Sequence, residues 1–196
     1  MNILKSFFLG ILGALGALVL EIITLSSPTS MLTDTETISR EITSFGYFFF
    51  LAIIIEEFLK YLLVYKAIAK TNAGKNIVLN SLFFGFGFSM LEMFLIYWSC
   101  QNGSPLDLIG LSGIVIIHIS TATLMGYFIS KNTVNFISGL FFGFIPAFLI
   151  HSAYNILKIS EIARQKEITI ILLASLIFLD IFLLVKSKIA YNIESI

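Results

Sequence analysis

The stretch Ile54-Ile55-Glu56-Glu57-Phe58-Leu59-Lys60 decides the architecture of this chain. It lies inside an apolar run over about residues 45–69, which is long enough to cross a bilayer at ~1.5 Å of rise per residue. A charged side chain at membrane depth costs roughly 3 kcal/mol on insertion scales, so such residues are rare and usually functional. The sequence therefore predicts a membrane-spanning helix with two carboxylates and a lysine in its interior.

The composition places nearly the whole chain in the membrane. Hydrophobic residues make up 58% of the 196 residues, charged residues 12%, and the mean hydropathy is +0.98, whereas a soluble domain carries about 25% charge. The formal net charge is zero and no basic patch occurs, so we expect no nucleic-acid partner. The single cysteine, Cys100, excludes an internal disulfide, and we interpret it as a free thiol in a loop.

Six apolar segments of spanning length follow one another, at about residues 4–25, 45–69, 77–98, 108–130, 136–157 and 168–185. We therefore predict an all-α, multi-pass transmembrane helix bundle of about six spans. It forms a single integral membrane domain over residues 1–196. Gly10, Gly13 and Gly16 give the first helix a small-residue face, which favours close packing against a neighbouring helix.

Lysine and arginine in the short loops predict the orientation. With the N-terminus in the cytoplasm, seven of these residues fall inside and four outside. We therefore expect both the N- and the C-terminus to be cytoplasmic.

In this orientation the polar residues of four helices gather in one layer between the outer interface and the midplane. At ~1.5 Å per residue, this layer lies about 9 to 15 Å below the outer surface. Its members are Glu56, Glu57, Glu92, His118 and His151, with Asn155 nearer the surface. Because His151 and Asn155 are four residues apart, both point to the same side of their helix.

Lys60 is the one cation close to these acids in sequence. It follows Glu56 by four residues, the favourable spacing for a Glu-to-Lys pair, and Glu57 by three. We predict that it neutralises one of these glutamates as a supporting ion pair, which leaves the other acids of the layer without a cation. Two more acids within spans, Glu21 and Asp180, have no His or second acid beside them, and we interpret them as interfacial or packing groups.

The layer contains the groups that hydrolyse a peptide bond. A glutamate in an apolar pocket is a suitable general base for activating water, and His and Asn side chains donate hydrogen bonds to a developing oxyanion. Glutamate and histidine also hold zinc in metalloproteases, although no HExxH motif occurs here. We favour a metal-free glutamate base without a cofactor, and zinc is the alternative. The candidate metal ligands are Glu56, Glu57, Glu92, His118 and His151.

Four motifs, in this order, resemble those of the PrsW family of intramembrane proteases. Glu56-Glu57-Phe58-Leu59-Lys60 matches the EExxK motif of that family, and Phe88-Ser89-Met90-Leu91-Glu92 its FxxxE motif. His118 resembles the third motif, and His151-Ser152-Ala153-Tyr154-Asn155 the closing HxxxN motif. The wider superfamily of CAAX prenyl endopeptidases and bacteriocin-processing proteins usually carries EExxxR and FxxxH, so Lys60 and Glu92 favour the PrsW branch.

The resemblance implies an intramembrane endopeptidase with a catalytic core at about residues 45–157. Its partners would be the lipid bilayer and a membrane-anchored protein substrate, cut near the outer face; the namesake of the family cuts an anti-sigma factor. By resemblance, Glu56 or Glu57 activates the water, His118 completes the site, and His151 and Asn155 stabilise the oxyanion. The abundance of Ile, Lys, Asn and Phe is typical of low-GC bacteria, so we expect a bacterial cell membrane.

Two other functions stay open at the level of sequence. A non-catalytic scaffold or immunity protein of the same superfamily would use the polar layer only to hold helices together. A small ion or proton carrier would use the Glu and His groups as a relay, although the chain shows no internal inverted repeat. The sequence does not indicate an oligomeric state.

Overall fold

A computed structural model describes residues 1–26, 37–70, 76–99, 107–131, 136–160 and 163–194. All the regular structure of these residues is helical, and it forms six helices. The predicted all-α fold is therefore confirmed. The loop that holds Cys100 lies outside the described residues.

The six helices follow the predicted order along the chain. They are α1 (Ile3–Ser26), α2 (Thr37–Leu63, continued by a π-helical turn Val64–Ala69), α3 (Ile77–Ser99), α4 (Leu108–Lys131), α5 (Phe136–Ile159) and α6 (Gln165–Glu194). α2 begins at Thr37 rather than near residue 45, and α6 continues beyond residue 185. Both differences arise because the hydrogen bonds of a helix continue past the end of its apolar stretch.

Five of the six helices are long and apolar enough to cross a membrane. They are α1, α3, α4, α5 and α6. Their large apolar side chains that point out of the bundle, such as Leu12, Phe94 and Phe178, are exposed and would contact lipid. α2 is not among the five, and the side chains of its residues 37–47 are not described. A sixth span and cytoplasmic termini therefore stay predictions.

Glycines let α3 pack closely between α1 and α4. A Cβ atom at Gly10 of α1 would collide with the Phe84 backbone of α3, and one at Gly87 would collide with the Phe7 backbone of α1. Gly13 and Gly16 face α2. A Cβ atom on Gly13 would lie 2.9 Å from the Leu63 side chain, and one on Gly16 would lie 3.2 Å from the Leu59 side chain. The small-residue face predicted on α1 is therefore its packing surface for two helices.

α5 is not a uniform α-helix. A π-helical turn, Leu140–Phe144, separates its first turn, Phe136–Gly139, from its main part, Ile145–Ile159. The turn ends two positions before Pro146, which has no N–H to donate to a preceding carbonyl, and local widening of a helix accommodates such a residue. The main part of α5 carries His151 and packs against α4 and α2.

Candidate active site

Four helices bring polar side chains to one place inside the bundle. We call this group of six residues the Glu–His cluster. It comprises Glu56, Glu57 and Lys60 of α2, Glu92 of α3, His118 of α4 and His151 of α5. Each member lies within hydrogen-bond or ion-pair distance of another member. Residues that are 94 positions apart in sequence thus meet, as do helices that are not neighbours along the chain.

Glu57 is the centre of the cluster. Its side chain is completely buried, and its Oε1 atom lies 2.6 Å from Lys60 Nζ and 2.6 Å from His151 Nδ1. A carboxylate oxygen only accepts hydrogen bonds, so both nitrogens are donors and the proton of His151 is on Nδ1. This arrangement holds α5 against α2 and fixes the orientation of the His151 ring.

Lys60 joins α2 to α4. Its Nζ atom, also completely buried, lies 2.5 Å from His118 Nδ1 and 4.5 Å from the centre of the Phe88 ring. The sequence spacing favours a pair with Glu56, but the partner in the structure is Glu57. At that position the ammonium group contacts both Glu57 and His118, so one cation links α2 to α4.

His118 takes a defined tautomer from its two neighbours. Because the ammonium of Lys60 donates to Nδ1, the proton of a neutral His118 ring is on Nε2, and Nε2 contacts Glu92 Oε2. The ring of His118 also meets that of His151 edge to face, with 5.2 Å between the ring centres. Glu92 therefore orients His118, and His118 in turn lies against His151.

Gly85 makes the contact between Glu92 and His118 feasible. A Cβ atom at this position of α3 would collide with the His118 carbonyl oxygen and lie 2.8 Å from the Ile119 Cα atom. Glycine lets the two backbones approach, and Glu92, two turns further along α3, then reaches the His118 ring. The FxxxE stretch thus depends on the glycine that precedes it.

Two carboxylate oxygens of the cluster are shielded from solvent and have no hydrogen-bond partner among the described residues. They are Oε2 of Glu56 and Oε2 of Glu57. The Glu56 side chain is 18% exposed, and its Oε2 atom lies 3.8 Å from His151 Nδ1. A buried acceptor without a donor is costly, so these atoms mark the place where a water, a metal ion or a substrate group would bind.

The donor set fits a metal ion. Glu56, Glu57, His118 and His151 each offer one ligand atom, and these four atoms lie within 4.8 Å of one another. Two carboxylates and two imidazoles are ligands that zinc prefers, and the two unpartnered Oε2 atoms are free for such bonds. The ammonium of Lys60 lies against Glu57 and His118, so it would compete with a metal for those two side chains.

Asn155 is the predicted site residue that the structure does not join to the cluster. It lies one helical turn after His151 on α5 and is partly exposed. No hydrogen bond links its side chain to the described members of the cluster. Its neighbour Tyr154 is buried instead, and donates a hydrogen bond of 3.0 Å to the Gly110 carbonyl of α4.

The two acids interpreted as packing groups differ in the structure. Asp180 of α6 is buried and accepts a hydrogen bond of 2.7 Å from Ser120 of α4, as a packing contact would. Glu21 of α1 interacts electrostatically with Glu56 and Glu92. The sequence interpretation of Glu21 is therefore incomplete. Glu21 lies about 6 Å from the predicted outer end of α1, in the same half of the membrane as the polar layer, and this position is the signal that could have found it.

An ion pair ties the chain together at the end of the bundle nearest the cluster. Asp107, directly before α4, accepts a hydrogen bond of 2.6 Å from Lys158 near the end of α5. The hydrogen bond from Lys158 and backbone N–H groups at the start of α4 hold the pKa of Asp107 below its ordinary value of 3.8. Both side chains are partly exposed, so water screens this pair.

Comparisons with known proteins identify the family of the chain. No curated protein and no solved structure matches the sequence. A family model described as PrsW family intramembrane metalloprotease matches residues 2–185, which is nearly the whole chain. The Glu–His cluster, at the meeting point of four helices, is compatible with that description. The chain therefore belongs to the PrsW family of intramembrane metalloproteases.

Proposed function

We propose that this protein is an endopeptidase that hydrolyses a peptide bond of a membrane-anchored protein, near the outer face of the membrane. One observation carries the proposal. Two adjacent glutamates in a largely buried cluster have shielded, unpartnered oxygens and meet two histidines from two other helices. Packing alone would not require acceptors that lack donors, whereas hydrolysis requires a place for water beside a base.

Glu56 is the member of the pair that we assign as the base. Oε1 of Glu57 already accepts two hydrogen bonds, and these hold Lys60 and His151 in place. The Glu56 side chain is 18% exposed, so water reaches the residue, and its shielded Oε2 atom has no donor among the described residues. Glu56 would take the proton of the attacking water and pass it to the leaving amine. Glu57 would position Lys60 and His151.

His151 would stabilise the charge that develops on the scissile carbonyl, and His118 would complete the site beside it. His118 is oriented by Lys60 and Glu92, and His151 is oriented by Glu57 through Nδ1. A protonated His151 would donate from Nε2 to the oxyanion. Asn155 lies on the same side of α5, one turn towards the helix end, and its amide would be a second donor.

Zinc would be held by Glu56, Glu57, His118 and His151, and it would polarise both the water and the scissile carbonyl. The family description as metalloproteases favours this form over the metal-free base that the sequence favours. A zinc ion bound to one ring nitrogen of His118 would replace either Lys60 or Glu92 at that nitrogen, and the other residue would still orient the ring.

The family and the loop charges together support a proposal for the substrate and the location. We propose a single-pass membrane protein similar to an anti-sigma factor as the substrate, and a bacterial cell membrane as the location. The cluster lies in the half of the bundle where α3 and α5 end and α4 begins, about 10 to 15 Å from those helix ends. With a cytoplasmic N-terminus, this half faces outward.

Cleavage of a single-pass reporter by the purified protein in liposomes tests the proposal. We expect wild type to cleave it, and Glu56→Gln to lower kcat/KM by about 100-fold or more, because a general base contributes at least that factor. Glu167→Gln, at an exposed position of α6, is the matched control and should cleave as wild type does. Equal cleavage by the Glu56→Gln variant would overturn the assignment of the base.

Metal content, measured on the same preparation, separates the two chemical forms. One zinc per chain, together with cleavage that a chelator stops and added zinc restores, supports the metal form. Cleavage by metal-free protein supports the glutamate base alone.

A scaffold function is the second candidate, and one observation favours it. The chain of contacts from His151 through Glu57, Lys60 and His118 to Glu92 ties four helices together. A scaffold predicts that alanine variants of these residues lose stability and that wild type cleaves no reporter. Cleavage of any reporter by wild type, lost in Glu56→Gln, excludes it.

A further inference from the structure

Glu21 of α1 lies beside the Glu–His cluster without belonging to it. Gly13 and Gly16 of α1 pack on Leu63 and Leu59 of α2, so the two helices run antiparallel and successive turns match. The next turns of α1 reach the level of Glu56, three residues before Leu59 on α2. The electrostatic interaction of Glu21 with both Glu56 and Glu92 agrees with this register.

The acids where α1 meets the Glu–His cluster outnumber the cations that are free to pair with them. Three carboxylate oxygens are shielded and unpartnered in the described part of the chain around the site: Oε1 of Glu21, Oε2 of Glu56 and Oε2 of the completely buried Glu57. The nearest cation, Lys60, is already engaged by Glu57 and His118. No ion pair among the described residues includes Glu21.

A metal ion at the cluster would neutralise Glu56 and Glu57 but would leave Glu21 without a partner. Its four candidate ligands are Glu56, Glu57, His118 and His151, and Glu21 is not one of them. Carboxylates within a membrane-spanning segment usually pair with a cation or line a functional path. No described residue supplies such a cation to Glu21, so its carboxylate is neutralised either by a proton or by the cation of an incoming molecule.

We infer that Glu21 is a specificity-determining residue that receives a basic side chain, Lys or Arg, of the substrate beside the scissile bond. The inference rests on the proposed peptidase function and adds a preference to it. The carboxylate of Glu21 would accept a charge-assisted hydrogen bond from the substrate cation, and the negative field of Glu56 and Glu92 would strengthen the attraction.

Paired reporters test this preference. In a single-pass reporter that wild type cleaves, each position flanking the mapped cleavage bond is changed in turn to Lys or to Met, which is of similar length and uncharged. At one or two positions we expect wild type to cleave the Lys reporter with a KM at least about tenfold below that of the Met reporter. In Glu21→Gln this ratio should fall to about one, through a rise in KM for the Lys reporter with little change in kcat.

Two control variants separate recognition from packing. Glu21→Asp keeps the charge and should retain part of the Lys preference. Asp180→Asn changes a buried acid in a span away from the cluster, so the ratio should stay as in wild type even where stability falls. A Lys-to-Met ratio that is near one in wild type at every position, or that is unchanged in Glu21→Gln, would overturn the inference. Either result leaves the peptidase function standing, because both reporters are still cleaved. Failure of wild type to cleave any reporter overturns both proposals.

Discussion

Helix α4 makes two kinds of buried polar contact on roughly opposite faces. His118 and Ser120 are two positions apart, which is about 200° around the helix axis. Ser120 gives one hydrogen bond to one acid, Asp180 of α6. His118 meets a lysine, a glutamate and a second histidine from three other helices. Both faces hold helices together, but one hydrogen bond is enough for that purpose, and the additional charges on the His118 face point to chemistry.

Removal of the cation on the His118 face should have the largest effect. Lys60→Met keeps the length of the side chain but leaves Glu57, which is completely buried, without its ion partner. We expect the free energy of unfolding to fall by about 3 kcal/mol, the usual cost of breaking a buried ion pair from one side. Equilibrium unfolding in mixed micelles measures it, with Lys66→Met, an exposed position on α2, as the control. Equal stability of the two variants would mean that Lys60 is not needed to neutralise the cluster.

Loss of the imidazole at position 118 should stop catalysis and leave the fold in place. We expect His118→Ala to lower kcat/KM for a cleaved reporter by about 100-fold, or ~2.7 kcal/mol in activation free energy, because the site loses the ring that positions Lys60 and lies against His151. The helical circular dichroism signal should stay unchanged. Cleavage within a factor of two of wild type would remove His118 from the site.

The Ser120 face supplies the matched comparison. Ser120→Ala removes the donor to Asp180 and should lower the free energy of unfolding by about 1 kcal/mol, the usual worth of one hydrogen bond. Reporter cleavage should change less than about threefold, since this face does not contact the Glu–His cluster in the described residues. A cleavage defect as large as that of His118→Ala would show that the two faces are coupled.

The ion pair between Asp107 and Lys158 should have the smallest effect, and it should depend on pH. Its hydrogen bond lowers the pKa of Asp107, so the stabilisation is complete above the ordinary value of 3.8 and disappears as pH falls through the lowered pKa. At pH 7 we expect Asp107→Asn to cost about 0.5 kcal/mol, because both side chains are partly exposed and screened. The difference from wild type should shrink at acidic pH and in 1 M salt. A difference that grows on acidification would contradict this sign.

The sequence predicts much of this architecture because the bilayer restricts it. Only helices satisfy their backbone hydrogen bonds within lipid, so apolar runs of sufficient length locate the helices. Charges at membrane depth are rare, so Glu56, Glu57, Glu92 and the two histidines stand out and meet in space, as their depths predict.

The sequence cannot predict which of the gathered residues pair. The spacing favours Glu56 as the partner of Lys60, but a contact with His118, which is 58 positions away, places Lys60 beside Glu57. Glu21 belongs to a helix without a motif, and its relation to the site depends on how the glycines of α1 seat that helix against α2. The role of Asn155 stays a prediction, since no described contact joins it to the cluster.

The π-helical turn at Leu140–Phe144 sets the angular position of everything that follows it on α5. Such a turn contains one residue more than an α-helical turn, so the later side chains are rotated by about 100° relative to a straight helix. His151 faces Glu57 only with this rotation included. Straightening of the turn into an ordinary α-helix with all its residues kept would turn the imidazole away from the other three helices by that angle, whereas deletion of one residue between positions 140 and 144 would straighten the helix and keep the imidazole in place. The number of residues between this turn and His151 thus sets the direction of the imidazole, and an insertion or deletion of one residue within positions 145–150 would cost more function than most substitutions.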